Sequence, residues 1–150
     1  ADTPVAHALA AAEAGDLAAL THILDENGLD VNDQGDDGDT ALHVGCLYGH
    51  LSIVQECVRR GAKVAVSDEE GSTPLHDASA GGYYEIAKIL LEHGAQVDVA
   101  DSDGDTPLHL ASNGNHQHIC VLLLEHVGAQ HASNMKGVRN GSGYTAAALA

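Results

Sequence analysis

Two acidic stretches carry the residue types best suited to hold a metal ion: Asp33-Gln34-Gly35-Asp36-Asp37-Gly38-Asp39 and Asp101-Ser102-Asp103-Gly104-Asp105. Crowded carboxylates are what a calcium loop offers, but a loop of the helix-loop-helix type also needs glycine at its sixth place and a bidentate glutamate near its twelfth. Counting from Asp101, glycine falls at the fourth place and the twelfth residue is Ser112. A turn glycine required for its backbone conformation explains this pattern better, so no metal or other cofactor is expected. The 11 histidines raise zinc as a second possibility, yet the paired-ligand phrase His-Glu-x-x-His is absent. His116 and His118 are too close along one helix to face the same metal. The chain also has no nucleophile-elbow Gly-x-Ser-x-Gly, no phosphate-cradling Gly-x-x-x-x-Gly-Lys and no dinucleotide fingerprint. Carboxylates on repeated turns are not readily buried, so their pKa values should not be raised for acid or base work. No catalytic residue and no enzyme activity are expected.

Charge narrows the class of partner. The net charge is −16, from 22 acidic and 6 basic residues, and such a field repels phosphate backbones and anionic lipid alike. Nucleic acid is therefore not an expected partner. Residues 1–58 contain no Lys or Arg and carry a net −11, whereas residues 59–150 carry −5. That asymmetry keeps a surface solvated and also offers a footprint for something basic. Full protonation of the 11 histidines would bring −16 to −5, so a charge-driven partner would be released in acid. The longest apolar run, Ile119–Leu124, is far short of the ~18 residues of a membrane span. No basic flank of a secretory signal is visible, so membrane insertion is not expected. The cysteines, Cys46, Cys57 and Cys120, are odd in number and lack Cys-x-x-Cys spacing. They read as buried small hydrophobes in a reducing, intracellular compartment, cytoplasmic or nuclear, an organelle interior being the alternative.

The elements that position these residues follow from a period. Thr40-Ala41-Leu42-His43, Thr73-Pro74-Leu75-His76 and Thr106-Pro107-Leu108-His109 recur 33 residues apart. Each phrase starts a helix: threonine caps free backbone N–H groups, and proline suits the first helical position, where its missing N–H would have had no partner. Apolar residues at Ile53, Cys57 and Val58, at Ile86, Leu90 and Leu91, and at Ile119, Leu123 and Leu124 mark a second helix in each unit. The chain has no Trp, no Phe and 4 Tyr, so Ala, Leu, Val and Ile must build its core.

On this phrase and period the chain resembles the ankyrin-repeat family. The resemblance covers nearly the whole of it. It implies an all-α solenoid of helix-turn-helix units joined by β-turn or hairpin loops, about four repeats plus a truncated fifth. The phase divides a single domain, 1–150, into a diverged first repeat at about 5–39, repeats at 40–72, 73–105 and 106–144, and the opening of a fifth at 145–150. Leu9, Leu20, Leu24 and Gly28 fall in register with Leu42, Ile53, Cys57 and Gly61, and His7 falls where a threonine is expected. Val127 is an insertion, and the long 131–144 loop carries Lys136 and Arg139. In this family the phrase histidine is expected to hydrogen-bond neighbouring turns. The chain is expected to be a fragment of a longer protein or an array with an abbreviated cap.

The resemblance implies a non-catalytic protein-binding scaffold whose partner choice lies in residues that vary on the turn tips and first helices. By phase the tips supply Asp36, Asp37 and Asp39, then Glu69 and Glu70, then Asp103 and Asp105. The first helices add Leu47 and Tyr48, then Ala80 and Gly81, then Asn113. An acidic rail with one aromatic platform is expected to capture a basic segment of a partner protein, with room for it beside Ala80 and Gly81. The alternatives are head-to-tail self-association, the basic 131–144 loop of one copy meeting the acidic repeats of another, or a cargo-sorting or targeting adaptor within a larger protein.

Overall fold

The structure, a computed structural model, describes residues 3–126. Its helices are α1 (Pro4–Ala14), α2 (Leu17–Asn27), α3 (Ala41–Tyr48), α4 (Leu51–Arg59), α5 (Pro74–Gly81), α6 (Tyr84–Glu92) and α7 (Pro107–Asn113), followed by α8 at 117–126. The described residues contain no strand. Successive helices pair across short turns; α1, α3, α5 and α7 stack into one layer, and α2, α4 and α6 form a second behind it. This is the all-α repeat solenoid that the period implies. Val127, the 131–144 loop with Lys136 and Arg139, and the expected fifth repeat lie outside the described residues.

The repeated phrase builds a reciprocal cap. Thr40, Thr73 and Thr106 accept hydrogen bonds at Oγ1 from the backbone N–H of His43, His76 and His109 at 3.3, 3.4 and 3.3 Å. In return each imidazole Nδ1 accepts from its threonine's N–H, at 3.2, 3.1 and 3.1 Å. Histidine thus fills the place that Glu or Gln holds in the common capping box. Because a backbone N–H can only donate, Nδ1 must be bare and Nε2 must carry the hydrogen. That Nε2–H donates from His43 to the Ser72 carbonyl at 3.0 Å and from His76 to the Asp105 carbonyl at 2.9 Å. Each of these two histidines therefore holds the turn that follows it, as the family resemblance implied, and also caps its own helix, which the sequence reading assigned to threonine alone.

The first repeat departs from the phase. α1 begins at Pro4 with Thr3 as its cap, accepting from the Ala6 N–H at 3.1 Å. The Thr-Pro step is therefore present, four residues ahead of His7, and α1 has 11 residues where α3 and α5 have 8. Its buried face is made of Ala8, Ala11 and Ala12.

The core is adjusted repeat by repeat. A Cβ at Gly45 would meet Ile53 Cγ2 at 2.9 Å and Val54 Cγ2 at 3.3 Å. The next two repeats have Ala78 opposite Ala87 and Ala111 opposite Cys120 in the same phase, so a larger residue on one helix is offset by a smaller one on the other. One step further, Ser112 Oγ lies 3.4 Å from Cys120 Sγ. Its counterpart Ser79 has Ala87 where that thiol would be, and its buried hydroxyl has no hydrogen-bond partner among the described residues. A buried, unpaired hydroxyl costs about 1–3 kcal/mol, so Ser79→Ala is expected to raise stability by about 1 kcal/mol in a urea titration. A variant no more stable than the parent would mean that the hydroxyl is satisfied. Cys46 and Cys57 are buried and free, and burial pushes the Cys57 thiol up to about 12, so both behave as small hydrophobes.

Candidate protein-binding groove

The turn tips are locked to one another. Gly38, Gly71 and Gly104 sit at φ +81, +74 and +82°, a left-handed conformation that disfavours any side chain. The glycine expected at the fourth place of the acidic turn is thus there for its backbone. At Gly38 a Cβ would also lie 3.0 Å from the Glu69 nitrogen of the next tip. Such close approach lets the Glu69 N–H donate to the Asp37 carbonyl at 3.1 Å and the Ser102 N–H to the Glu70 carbonyl at 2.9 Å. Within tips, Asp68 Oδ1 accepts from the N–H groups of Glu70 and Ser72, and Asp101 Oδ1 from those of Asp103 and Asp105, at 2.9–3.0 Å. Carboxylate oxygens of Asp101, Asp103 and Asp105 come within 4.8 Å of one another. Those side-chain-to-backbone turns account for the crowding.

Between tips and first helices lie two adjoining depressions. One, of about 410 Å³, has an apolar floor of Leu9, Val44, Leu47 and Tyr48 beneath Asp36, Asp37 and Asp39, with Glu13 at its side. The other, of about 380 Å³, is lined by Asp37, Asp39, Asp68, Glu69, Glu70 and Asp77 around His43, Leu47 and Ser72. Asp37, Asp39 and Leu47 form the wall common to both. No Lys or Arg lines either depression. Arg59 and Arg60, on the second-helix layer, are bound to Glu56, and Arg60 also reaches Asp25 at 3.0 Å. Leu47 and Tyr48 are 49% and 46% exposed and adjoin each other on the floor of the first depression. The Tyr48 ring stacks on His50 at 6.5 Å, and its hydroxyl bonds the Glu13 carboxylate, which pushes the phenol pKa up.

One sequence expectation fails here. Burial does raise carboxyl pKa values on these turns and the helix beside them. Burial, then the neighbouring Asp68 carboxyl, push Asp39 up to about 6. Burial, then the charges of Asp39 and Asp68, push Asp77 up to about 8, with the Ser72 hydroxyl at 3.4 Å acting the other way. Asp77 was not among the residues expected in the site, although its phase flags it: the same place holds Val44 and Leu110 in the flanking repeats. The histidine contribution also changes, because burial pushes the His43 pKa down and keeps that imidazole neutral.

Comparison with known proteins bears on what such a groove is for. Residues 8–101 match the family described as ankyrin repeats (3 copies), and residues 103–135 match the single ankyrin repeat. The chain belongs to the ankyrin-repeat family. Over 40 residues it is 42% identical to the serine/threonine-protein kinase TNNI3K of Mus musculus, and equally to that of Rattus norvegicus. This stretch is 27% of the present chain and 5% of each kinase. Ankyrin repeats generally mediate protein–protein interaction and are typically not catalytic. No helix among the described residues is long and apolar enough to cross a membrane.

In this ankyrin array the expected site residues divide into two groups. Asp36, Asp37, Asp39, Leu47, Tyr48, Glu69 and Glu70 converge on the two depressions; Ala80, Gly81, Asp103, Asp105 and Asn113 line neither. The space beside Gly81 is occupied by the chain itself, since a Cβ there would run into the Tyr83 ring. Sequence reasoning missed Asp68 and Asp77, and also Leu9 and Glu13 of α1, whose side chains reach the groove only through the stacking of α1 on α3.

Proposed function

We propose that the paired depressions capture a segment of a partner protein in which basic residues flank a bulky apolar one. The observation that supports this is the shared wall of Asp37, Asp39 and Leu47. It sets an exposed apolar floor directly beside a cleft lined by six acidic side chains and no cation. Lysine or arginine side chains pair with the carboxylates and an apolar side chain covers Leu47 and Tyr48. Exposed ion pairs contribute only about 0–1 kcal/mol each, so the apolar contact is needed for useful affinity and the charges supply orientation and rate of encounter.

A fluorescent peptide alternating Arg and Leu, with a Glu/Leu peptide as control, tests this by anisotropy. The Arg/Leu peptide alone should bind, about tenfold more weakly in 0.5 M than in 0.05 M salt, and Asp37→Lys with Asp39→Lys should weaken it by at least about tenfold. Equal binding of both peptides, or binding indifferent to the reversal, would exclude the reading.

A further inference from the structure

We propose that Asp39, Asp68 and Asp77 form a proton-sensitive joint between the turn that enters the second repeat and the first helix of the third, held together while the cluster carries protons and strained by like-charge repulsion once all three ionise. The three come from separate elements: Asp39 precedes α3, Asp68 lies on the following tip, and Asp77 is in the first turn of α5. All line one cleft. Asp68 Oδ1 accepts from two backbone N–H groups, those of Glu70 and Ser72, which fixes its carboxyl group in the cleft. Ser72 links two of the three, its N–H donating to Asp68 Oδ1 at 3.0 Å and its hydroxyl to Asp77 Oδ1 at 3.4 Å, and Asp39 lines the same cleft.

The surroundings do not relieve the charge. The first tip adds Asp37, and the second adds Glu69, Glu70 and the Ser72 hydroxyl. From α3 come His43, held neutral by burial, and the buried Cys46 thiol, whose pKa burial and Asp77 raise. Tyr48, also on α3, has its phenol pKa pushed up, chiefly by its bond to Glu13 and least by Asp39. None of these is a cation at neutral pH. In the flanking repeats the position of Asp77 is Val44 or Leu110, so the carboxyl is a departure from an apolar position.

The sign follows from linkage. Asp39 and Asp77 bind protons more tightly folded than unfolded, rising from 3.8 to about 6 and about 8. Stability therefore declines as pH rises above about 4 and levels off once both folded carboxyls have ionised, near 6 and 8. His43 works oppositely: its lowered pKa costs stability as pH falls below 6.5. Comparing a variant with the parent cancels that term.

The joint does not depend on the groove having a partner, and its test uses none. Urea unfolding of the whole chain is followed from pH 5 to 9 for wild type and for Asp77→Leu, the residue type of the next repeat. The variant's midpoint should pull ahead of wild type by about 1 M urea or more between pH 5 and 8 and then hold constant. Parallel profiles would overturn the proposal. Independently of whether that variant folds, carbon-13 NMR of the wild-type aspartate carboxyls reads the protons directly. Midpoints for both Asp39 and Asp77 near the ordinary 3.8 would also overturn it, and a midpoint at about 6 or above for either supports it.

Discussion

His76→Ala is expected to destabilise the protein by about 3 kcal/mol, a large share of the ~5–15 kcal/mol that holds a domain together. The imidazole is fully buried and has two tasks. Its Nδ1 accepts from the Thr73 N–H, which would be left a buried orphan at the start of α5. Its Nε2–H satisfies the Asp105 carbonyl 29 residues away, so the turn entering the fourth repeat would lose its tie to the third. Each stranded buried group costs about 1–3 kcal/mol, and the cavity left by the ring adds to this. His76→Gln should recover part of the loss, because glutamine can complete the capping box but is not shaped to reach both partners. Hydrogen exchange resolves the two tasks: with glutamine, protection should return at the start of α5 and stay low at 101–106. A urea titration placing His76→Ala within about 0.5 kcal/mol of wild type would contradict this account.

Leu90→Ala should cost about 2–5 kcal/mol, the usual range for removing a fully buried leucine. Leu90 is 0% exposed on α6, in a middle repeat with neighbours on both sides. In a solenoid each repeat is stabilised chiefly by those neighbours, so damage in the middle weakens two interfaces and damage at an end only one. Leu24, 3% exposed on α2 of the first repeat, provides the control. Leu24→Ala should lose less, and its unfolding should begin at the N-terminal end as judged by hydrogen exchange. Equal losses at the two sites would mean that the array unfolds as one block rather than by nearest-neighbour units.

What the sequence disclosed depended on how local the physics was. The Thr-Pro-Leu-His phrase carries its threonine cap within four residues and could be read from them directly, whereas the histidine-to-turn bond, which recurs at the same offset, was expected only from the family resemblance. The Thr3 cap was overlooked because the inner repeats impose a 33-residue phase that the longer α1 does not obey. The acidic tips were legible as surface, but their convergence with Leu47 on one wall depends on how closely successive turns stack. Asp77 was visible as an aspartate among apolar counterparts, yet only the folded stack places it beside Asp39 and Asp68. Room beside Gly81 was inferred from glycine's size, whereas Tyr83, two residues on, fills it.

The histidine joints bear on how such a chain can change length over generations. Because His43 grips the carbonyl of Ser72, and a threonine in the phase of Thr73 follows at Thr106, a recombination that excised residues 73–105 would join Ser72 to Thr106 and leave that grip intact. Whole units can be gained or lost at this seam, while a cut of any other length would leave a carbonyl unmatched. The same excision would bring Leu110 to the place of Asp77 and erase the proton-sensitive joint in one event. Architecture and regulation are therefore inherited separately: the first survives the loss of a repeat, and the second depends on which repeats stand next to each other.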